Sequence, residues 1–280
     1  MMEWRLICDG PMAGPVNMAT DRALLQACNE GISGPTFRIY GWAGTAVTLG
    51  YAQEEKGQIN SELCQRLNIP ISRRPTGGRA MAHQNELTYS LTVPIPHEQF
   101  PSSLKGAYAV VATAVEKSLQ LLGVKNTPHA PRSTKKTEGK EKFRSPACFA
   151  HLNGHEVAVQ GKKLTGGAQR RLKGAFLQQG SILLDCDREF TNSLFEFPDL
   201  QTRERNLEIL REQTISLREL LGIEIPFELA AGVFKKGFSE TFPGRWQEKG
   251  LSAREISLRD ALVEDKGPGI SRRVLDDAIK

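Results

Sequence analysis

Two stretches of this chain hold the residue types that could do chemistry. Arg73-Arg74-Pro75-Thr76-Gly77-Gly78-Arg79-Ala80-Met81-Ala82-His83 sets paired glycines among arginines. Gly161-Lys162-Lys163-Leu164-Thr165-Gly166-Gly167-Ala168-Gln169-Arg170-Arg171 repeats the device downstream, with Cys148 shortly ahead of it. Glycine has no Cβ, so a ligand can lie directly against the main chain there. Exposed amides beside guanidinium groups suit an anionic or carbonyl-bearing ligand. Taken alone, Gly-Gly between arginines also describes the turn of a basic hairpin; the second occurrence is what favours a ligand cradle. Cys148 falls where a charged loop meets the next strand, so a substrate could reach its sulfur. The thiolate is the nucleophilic form, and a free cysteine with a pKa of ~8.5 is mostly protonated near neutrality, so such a site needs a cation beside it. Lys163 is the candidate cation, although spacing alone does not join the two and a hairpin lysine more often faces solvent.

Around these stretches the pattern is one of mixed strands and helices. Residues 4–8 read as a strand. Asn17 is placed to cap a helix over 18–29, with Met18, Leu24, Leu25 and Cys28 on one stripe. Strands follow at 36–42 and 47–51, with Trp42 and Tyr51 at their ends as possible walls of a pocket, then a short helix at 59–67. The first Gly-Gly pair reads as a tight reversal between an extended approach at 69–74 and a strand at 86–94. In that strand Leu87, Tyr89, Leu91 and Val93 alternate with Thr88, Ser90 and Thr92, the pattern of a half-buried strand. A long helix capped by Ser102 or Ser103 carries an apolar stripe that covers a sheet face. A strand at 157–159 turns at Gln160-Gly161 into 162–169, and 178–185 closes the sheet. Helical pieces at 189–195, 217–221 and 227–238 end the pattern, with Phe238, Phe242 and Trp246 packing back on the domain. The expected class is α+β, a mixed sheet flanked by helices.

Residues 128–145 differ in character. Lys135, Lys136, Lys140, Lys142 and Arg144 crowd with Glu138 and Glu141, and so little apolar content cannot offset the roughly 1–2 kcal/mol per residue that ordering costs, which predicts a mobile surface loop. It is either a solvated insertion or a basic lip for an acidic partner. The expected division is a catalytic domain over 1–243 and a tail over 244–280 with no assigned role. The chain has 280 residues, 39% of them hydrophobic, and a formal net charge of +5. That balance is too mild to choose a partner, and no basic run interleaved with aromatics points to nucleic acid. The five cysteines are odd in number and lack Cys-x-x-Cys spacing, which argues against a disulfide framework or a zinc site. No leader segment and no run of ~18 apolar residues is seen, so a cytoplasmic protein is expected, free of membrane, metal and cofactor, and monomeric.

Residues 73–90, 162–169 and 178–185 resemble the signature blocks of the lipoate/octanoate-protein ligase and transferase superfamily, which also holds the biotin-protein ligases. Asn17-Met18-Ala19-x-Asp21 resembles its N-terminal block, and the likeness spans about 4–238. Ser145-Pro146-Ala147-Cys148-Phe149 ahead of Gly161-Lys162-Lys163 is most similar to the cysteine-dependent octanoyltransferases of the LipM type. The resemblance implies a biotin/lipoate-protein ligase catalytic fold and transfer of octanoate, without ATP, from acyl carrier protein to a lysine of an apo lipoyl domain. That acceptor would be glycine cleavage H protein or a 2-oxoacid dehydrogenase. It makes Cys148 the nucleophile and Lys163 its partner. It sets Arg74, Thr76, Gly77, Gly78, Arg79, Ala80 and His83 against Thr165, Gly166 and Gly167 around the acyl chain. Acyl transfer passes through tetrahedral oxyanions, and losing one backbone donor to such an oxyanion costs ~2.7–4 kcal/mol; 76–78 and 165–167 are where such donors could converge. An ATP-dependent lipoate ligase would share the glycine loop and Lys163 without needing Cys148, and would tend to carry a third glycine where this chain reads Gly-Gly-Arg-Ala. A lipoyl amidotransferase would use the cysteine but move the acyl group between lipoyl domains. A non-catalytic acyl-binding protein would need neither Cys148 nor Lys163.

Overall fold

The computed structural model describes residues 2–125 and 157–264. The chain runs β1 (Glu3–Met12), α1 (Gly14–Asn29), β2 (Thr36–Trp42), β3 (Ala46–Leu49), α2 (Ser61–Arg66), β4 (Ile71–Arg73), β5 (Met81–His83), β6 (Glu86–Pro94) and α3 (Leu104–Leu121). It continues with β7 (Ala158–Val159), β8 (Lys162–Lys163), β9 (Thr165–Arg171), β10 (Ala175–Leu183), α4 (Arg188–Ser193), α5 (Leu200–Gln213), α6 (Leu217–Leu221), α7 (Phe227–Thr241), β11 (Arg245–Glu248) and α8 (Ala253–Glu264). Among the described residues, no helix is long and apolar enough to cross a membrane.

The main sheet has the order β11-β1-β2-β6-β10-β9. It is mixed: β1 runs parallel to both β11 and β2, while β2, β6, β10 and β9 pair antiparallel. Side chains alternate across β6, so Leu87, Tyr89, Leu91 and Val93 enter one core with Phe37, Ile39, Val111, Val115, Phe234 and Phe238 from β2, α3 and α7. The opposite face, carrying Thr88, Ser90 and Thr92, is buried as well. A half-buried strand was expected; α1 lies over the polar face and turns it into the interior of the site.

Helix α1 begins earlier than expected, at Gly14, because Pro15 suits a first turn that has no amide to satisfy. Asn17 therefore sits inside the helix rather than capping it, and its amide donates to the Met12 and Gly41 carbonyls. α3 does start on its expected cap, the Ser103 hydroxyl accepting from the Gly106 amide. Strand β10 lies inside the sheet, between β6 and β9, and leaves β9 as the edge.

A second sheet, ordered β4-β3-β5, changes the reading of the first glycine pair. β4 pairs parallel with one side of β3 and β5 antiparallel with the other. The segment carrying Gly77 and Gly78 is thus a connection that crosses over β3, not the reversal of a hairpin. Past residue 243 the chain continues into the body of the protein. β11 extends the main sheet and α8 packs on α1; residues 265–280 lie outside the described ones.

Candidate functional site

Between the polar face of the main sheet and the small sheet lies a narrow slot of about 40 Å3. α1 contributes Met18, β2 Tyr40 and Trp42, β3 Thr48, β5 Met81 and His83, and β9 with β10 Gly166, Gly167 and Gln179; Arg74 and Thr76 close it from the glycine connection. Gly77, Gly78 and Arg79 instead line an adjoining recess with Tyr51, Gln169 and Arg170, where the Arg170 guanidinium stacks 3.8 Å over the Tyr51 ring. A broader surface groove of about 820 Å3 runs between the 55–62 and 193–203 segments and holds none of the residues singled out above.

Two buried carboxylates organise the slot. Asp21 on α1, wholly buried, accepts from Arg38 Nη1 at 2.8 Å, Ser90 Oγ at 2.7 Å, Tyr40 Oη at 2.8 Å and Gln179 Nε2 at 2.6 Å. Thr76 joins this network by donating to Gln179 Oε1 at 2.6 Å. Burial, together with the Asp21 carboxylate, holds the Tyr40 phenol far above its ordinary pKa, so it stays a donor. Glu86, at the start of β6, is the second hub. It is 2.8 Å from His83 Nδ1 and accepts from Thr88 Oγ1 at 2.8 Å, and Thr88 in turn accepts from Trp42 Nε1 at 2.9 Å. The His83 ring stacks on Trp42, centroids 3.7 Å apart, and its Nε2 is 2.7 Å from Thr48 Oγ1.

The arginines serve the backbone. Arg74 donates to the carbonyls of Thr48, Gly77 and Arg79 and to Thr48 Oγ1, and Arg73 donates to those of Gly50, Tyr51 and Gln53. Turning these carbonyls toward guanidinium groups braces the glycine connection, a different use from the anion contact the residue types suggest. Ala80 faces away from the slot, into a core with Val47, Leu49 and Ile59, because alternation along the strand sends Met81 and His83 to the slot and Ala80 and Ala82 to its back. Thr165 gives its oxygen to the Val157 amide at 3.0 Å, so of its segment Gly166 and Gly167 line the slot and Thr165 does not.

Lys163 is wholly buried on β8 (0% exposed) and its carbonyl accepts from the Ile215 amide. Its neighbour Lys162 reaches outward and donates to the Arg211 carbonyl. Cys148 and the basic 128–145 stretch lie outside the described residues. The other four cysteines are all pushed up from their ordinary pKa: Cys28 to about 12 and Cys186 to about 11, chiefly by burial, and Cys64 and Cys8 by desolvation assisted by Glu55 and Glu248 respectively. None of these four is primed as a thiolate.

Arg38 and Thr48 lie outside the blocks singled out in the sequence, and Gln179 and Glu86 lie inside them but carry no role there. An arginine in the middle of the apolar strand Thr-Phe-Arg-Ile-Tyr-Gly-Trp was the available signal for the first of them, since a charge in such a run must be paired inside.

Residues 14–239 match the model of the lipoyl protein ligase A/B catalytic domain. The chain is 36% identical to octanoyltransferase LipM of Brevibacillus brevis over 269 residues, covering 95% of this chain and 96% of that one. It is 35% identical to octanoyltransferase LipM of Bacillus subtilis, covering 94% and 95%. Its fold is similar to that of a bipartite lipoate protein ligase from Thermoplasma acidophilum, with a TM-score of 0.77 at 23% identity over 95% of this chain and 94% of that one. It is also similar to a lipoate-protein ligase A solved with ATP, with a TM-score of 0.73 at 22% identity over 95% and 96%.

Proposed function

The chain belongs to the lipoyl protein ligase A/B catalytic-domain family, and from that membership we propose that it is an octanoyltransferase of lipoate biosynthesis, like its LipM relatives, carrying the acyl group as a thioester on Cys148. The donor is octanoyl-acyl carrier protein. The acceptor is a lysine of an apo lipoyl domain, in glycine cleavage H protein or a 2-oxoacid dehydrogenase. The enzyme works in the cytoplasm and uses no ATP, because the acyl group arrives already activated.

In the first half-reaction the Cys148 thiolate, held by the Lys163 ammonium, attacks the donor carbonyl. The tetrahedral oxyanion collapses, the carrier thiolate leaves with the proton of Lys163, and an octanoyl thioester remains on Cys148. In the second half the acceptor amine attacks that thioester, the amide forms, Lys163 takes back a proton from the amine and the thiolate is restored. In this reading backbone amides near Gly166 and Gly167 serve the developing oxyanions and the slot lined by Trp42, Met81 and His83 takes the acyl chain.

The observation that carries the reading is the burial of Lys163. A hairpin lysine usually stays in solvent, as its neighbour Lys162 does, whereas Lys163 is turned wholly into the interior, where an amine can act on a reacting group. The test is to mix the protein with octanoyl-carrier protein and an apo lipoyl domain, with and without ATP, and weigh the products. Wild type is expected to acquire a hydroxylamine-labile octanoyl group from the donor alone and to pass it on without ATP, and Cys148→Ser to do neither. A requirement for ATP with free octanoate would instead identify a ligase.

A further inference from the structure

We propose that Met81 sets the acyl-chain length this slot accepts, by swinging aside when the chain enters; the inference rests on the octanoyltransferase reading above. The slot measures about 40 Å3, whereas a cavity of ~150 Å3 is what takes benzene, with six carbons. An eight-carbon chain therefore has to displace protein. Most of the described polar lining is pinned: His83 between Thr48 and Glu86, Trp42 by Thr88, Gln179 between Asp21 and Thr76.

The two methionines are the adaptable lining groups, unbranched and soft. Met18 is wedged in an aromatic cluster with Tyr40 and Trp42, and its sulfur accepts from Gln179 Nε2 at 3.7 Å. Met81 packs against Leu183 and Leu210. Those same two leucines line a second small cavity of about 30 Å3 that Met81 itself does not reach, so the room for Met81 to retract lies behind the leucines it packs on, which must shift with it. The length of the chain that fits is then set by how far the residue 81 side chain retracts.

The experiment measures kcat/KM for hexanoyl-, octanoyl- and decanoyl-carrier protein with wild type, Met81→Ala and Met81→Phe. One methylene in an apolar pocket is worth about tenfold or more. Met81→Ala should raise the decanoyl-to-octanoyl ratio by at least about that factor, and Met81→Phe should lower octanoyl relative to hexanoyl by a similar one. Met81→Leu, which conserves volume but is stiffer, serves where either variant does not fold, and should also lower octanoyl relative to hexanoyl. Identical chain-length ratios in wild type and variants, including a uniform fall in rate at every length, would overturn the proposal while leaving octanoyl transfer intact. Wild type that transfers no octanoate at all would overturn the transferase reading and this inference with it.

Discussion

Glu86 shows how much of the site hangs on one side chain whose role its sequence block does not declare. Arg74 donates to the Thr48 hydroxyl, which lies 2.7 Å from His83 Nε2, and His83 Nδ1 lies 2.8 Å from Glu86; Trp42 donates to Thr88, whose proton goes to Glu86. Two hydrogen-bonded chains thus meet at one buried carboxylate, and the imidazole is fixed in ring orientation by contacts at both nitrogens. Replacing Glu86 with Gln removes the charge that strengthens both bonds, worth about 1.5–3 kcal/mol for hydrogen bonds to a charged group. Urea unfolding should show a loss of that order together with slower acyl transfer; an unchanged midpoint would mean the chains do not terminate there. His83 was legible by resemblance. Glu86 was not, because a polar residue on an alternating strand reads as solvent-facing until a helix is known to cover that face.

The glycine connection passes so close to the end of β3 that a Cβ on Gly50 would overlap the Gly78 carbonyl, whereas one on Gly77 would meet nothing within 4 Å. Gly78 itself has φ +98°, in the region that favours glycine. Gly50→Ala is therefore expected to push the connection off β3 and to cost about 1–3 kcal/mol, the usual range for overpacking, with acyl transfer falling by a larger factor than stability alone explains. Gly77→Ala should melt near the wild-type temperature. Parallel thermal melts and transfer assays separate the two, and a Gly50→Ala enzyme with normal rate would show that the connection does not shape the slot. The glycines were visible in the sequence as a place of close approach. Their partner was not: an extended approach at 69–74 and a strand at 86–94 suggested a tight reversal, and only the insertion of β3 between β4 and β5 revealed a crossover.

The protein is one body that closes on itself through its later residues. β11 pairs with β1 from Glu3↔Arg245 to Leu6↔Glu248, Trp246 stacks on Trp4 with centroids 5.2 Å apart, and Arg5 makes a bidentate pair with Glu255 of α8 at 2.7 and 2.5 Å. Burial would raise the Glu255 pKa, but the hydrogen bonds from Arg5 and Ser252 bring it below the ordinary carboxylate value. Ending the chain after Pro243 would uncover Trp4, open β1 as a sheet edge and leave Arg5 without its partner, a break that costs about 3–5 kcal/mol for a buried pair. The truncated protein should lose on the order of 10 °C in melting temperature, since 1 kcal/mol corresponds to roughly 2–4 °C at such lengths. A melt unchanged by truncation would show that β11 and α8 are dispensable.

Chemistry and period were readable directly: glycine pairs, a thiol, a lysine and alternating strands declare themselves through local covalent character and spacing, and through them the family and its reaction class. Which polar residues share an interior was settled only by folding. The Asp21 and Glu86 networks, the turning of Arg73 and Arg74 onto carbonyls, and the orientation of Ala80 away from the slot all depend on which element lies across from which. A hydrogen bond between residues 158 positions apart, such as Gln179 to Asp21, leaves no trace in the spacing of either.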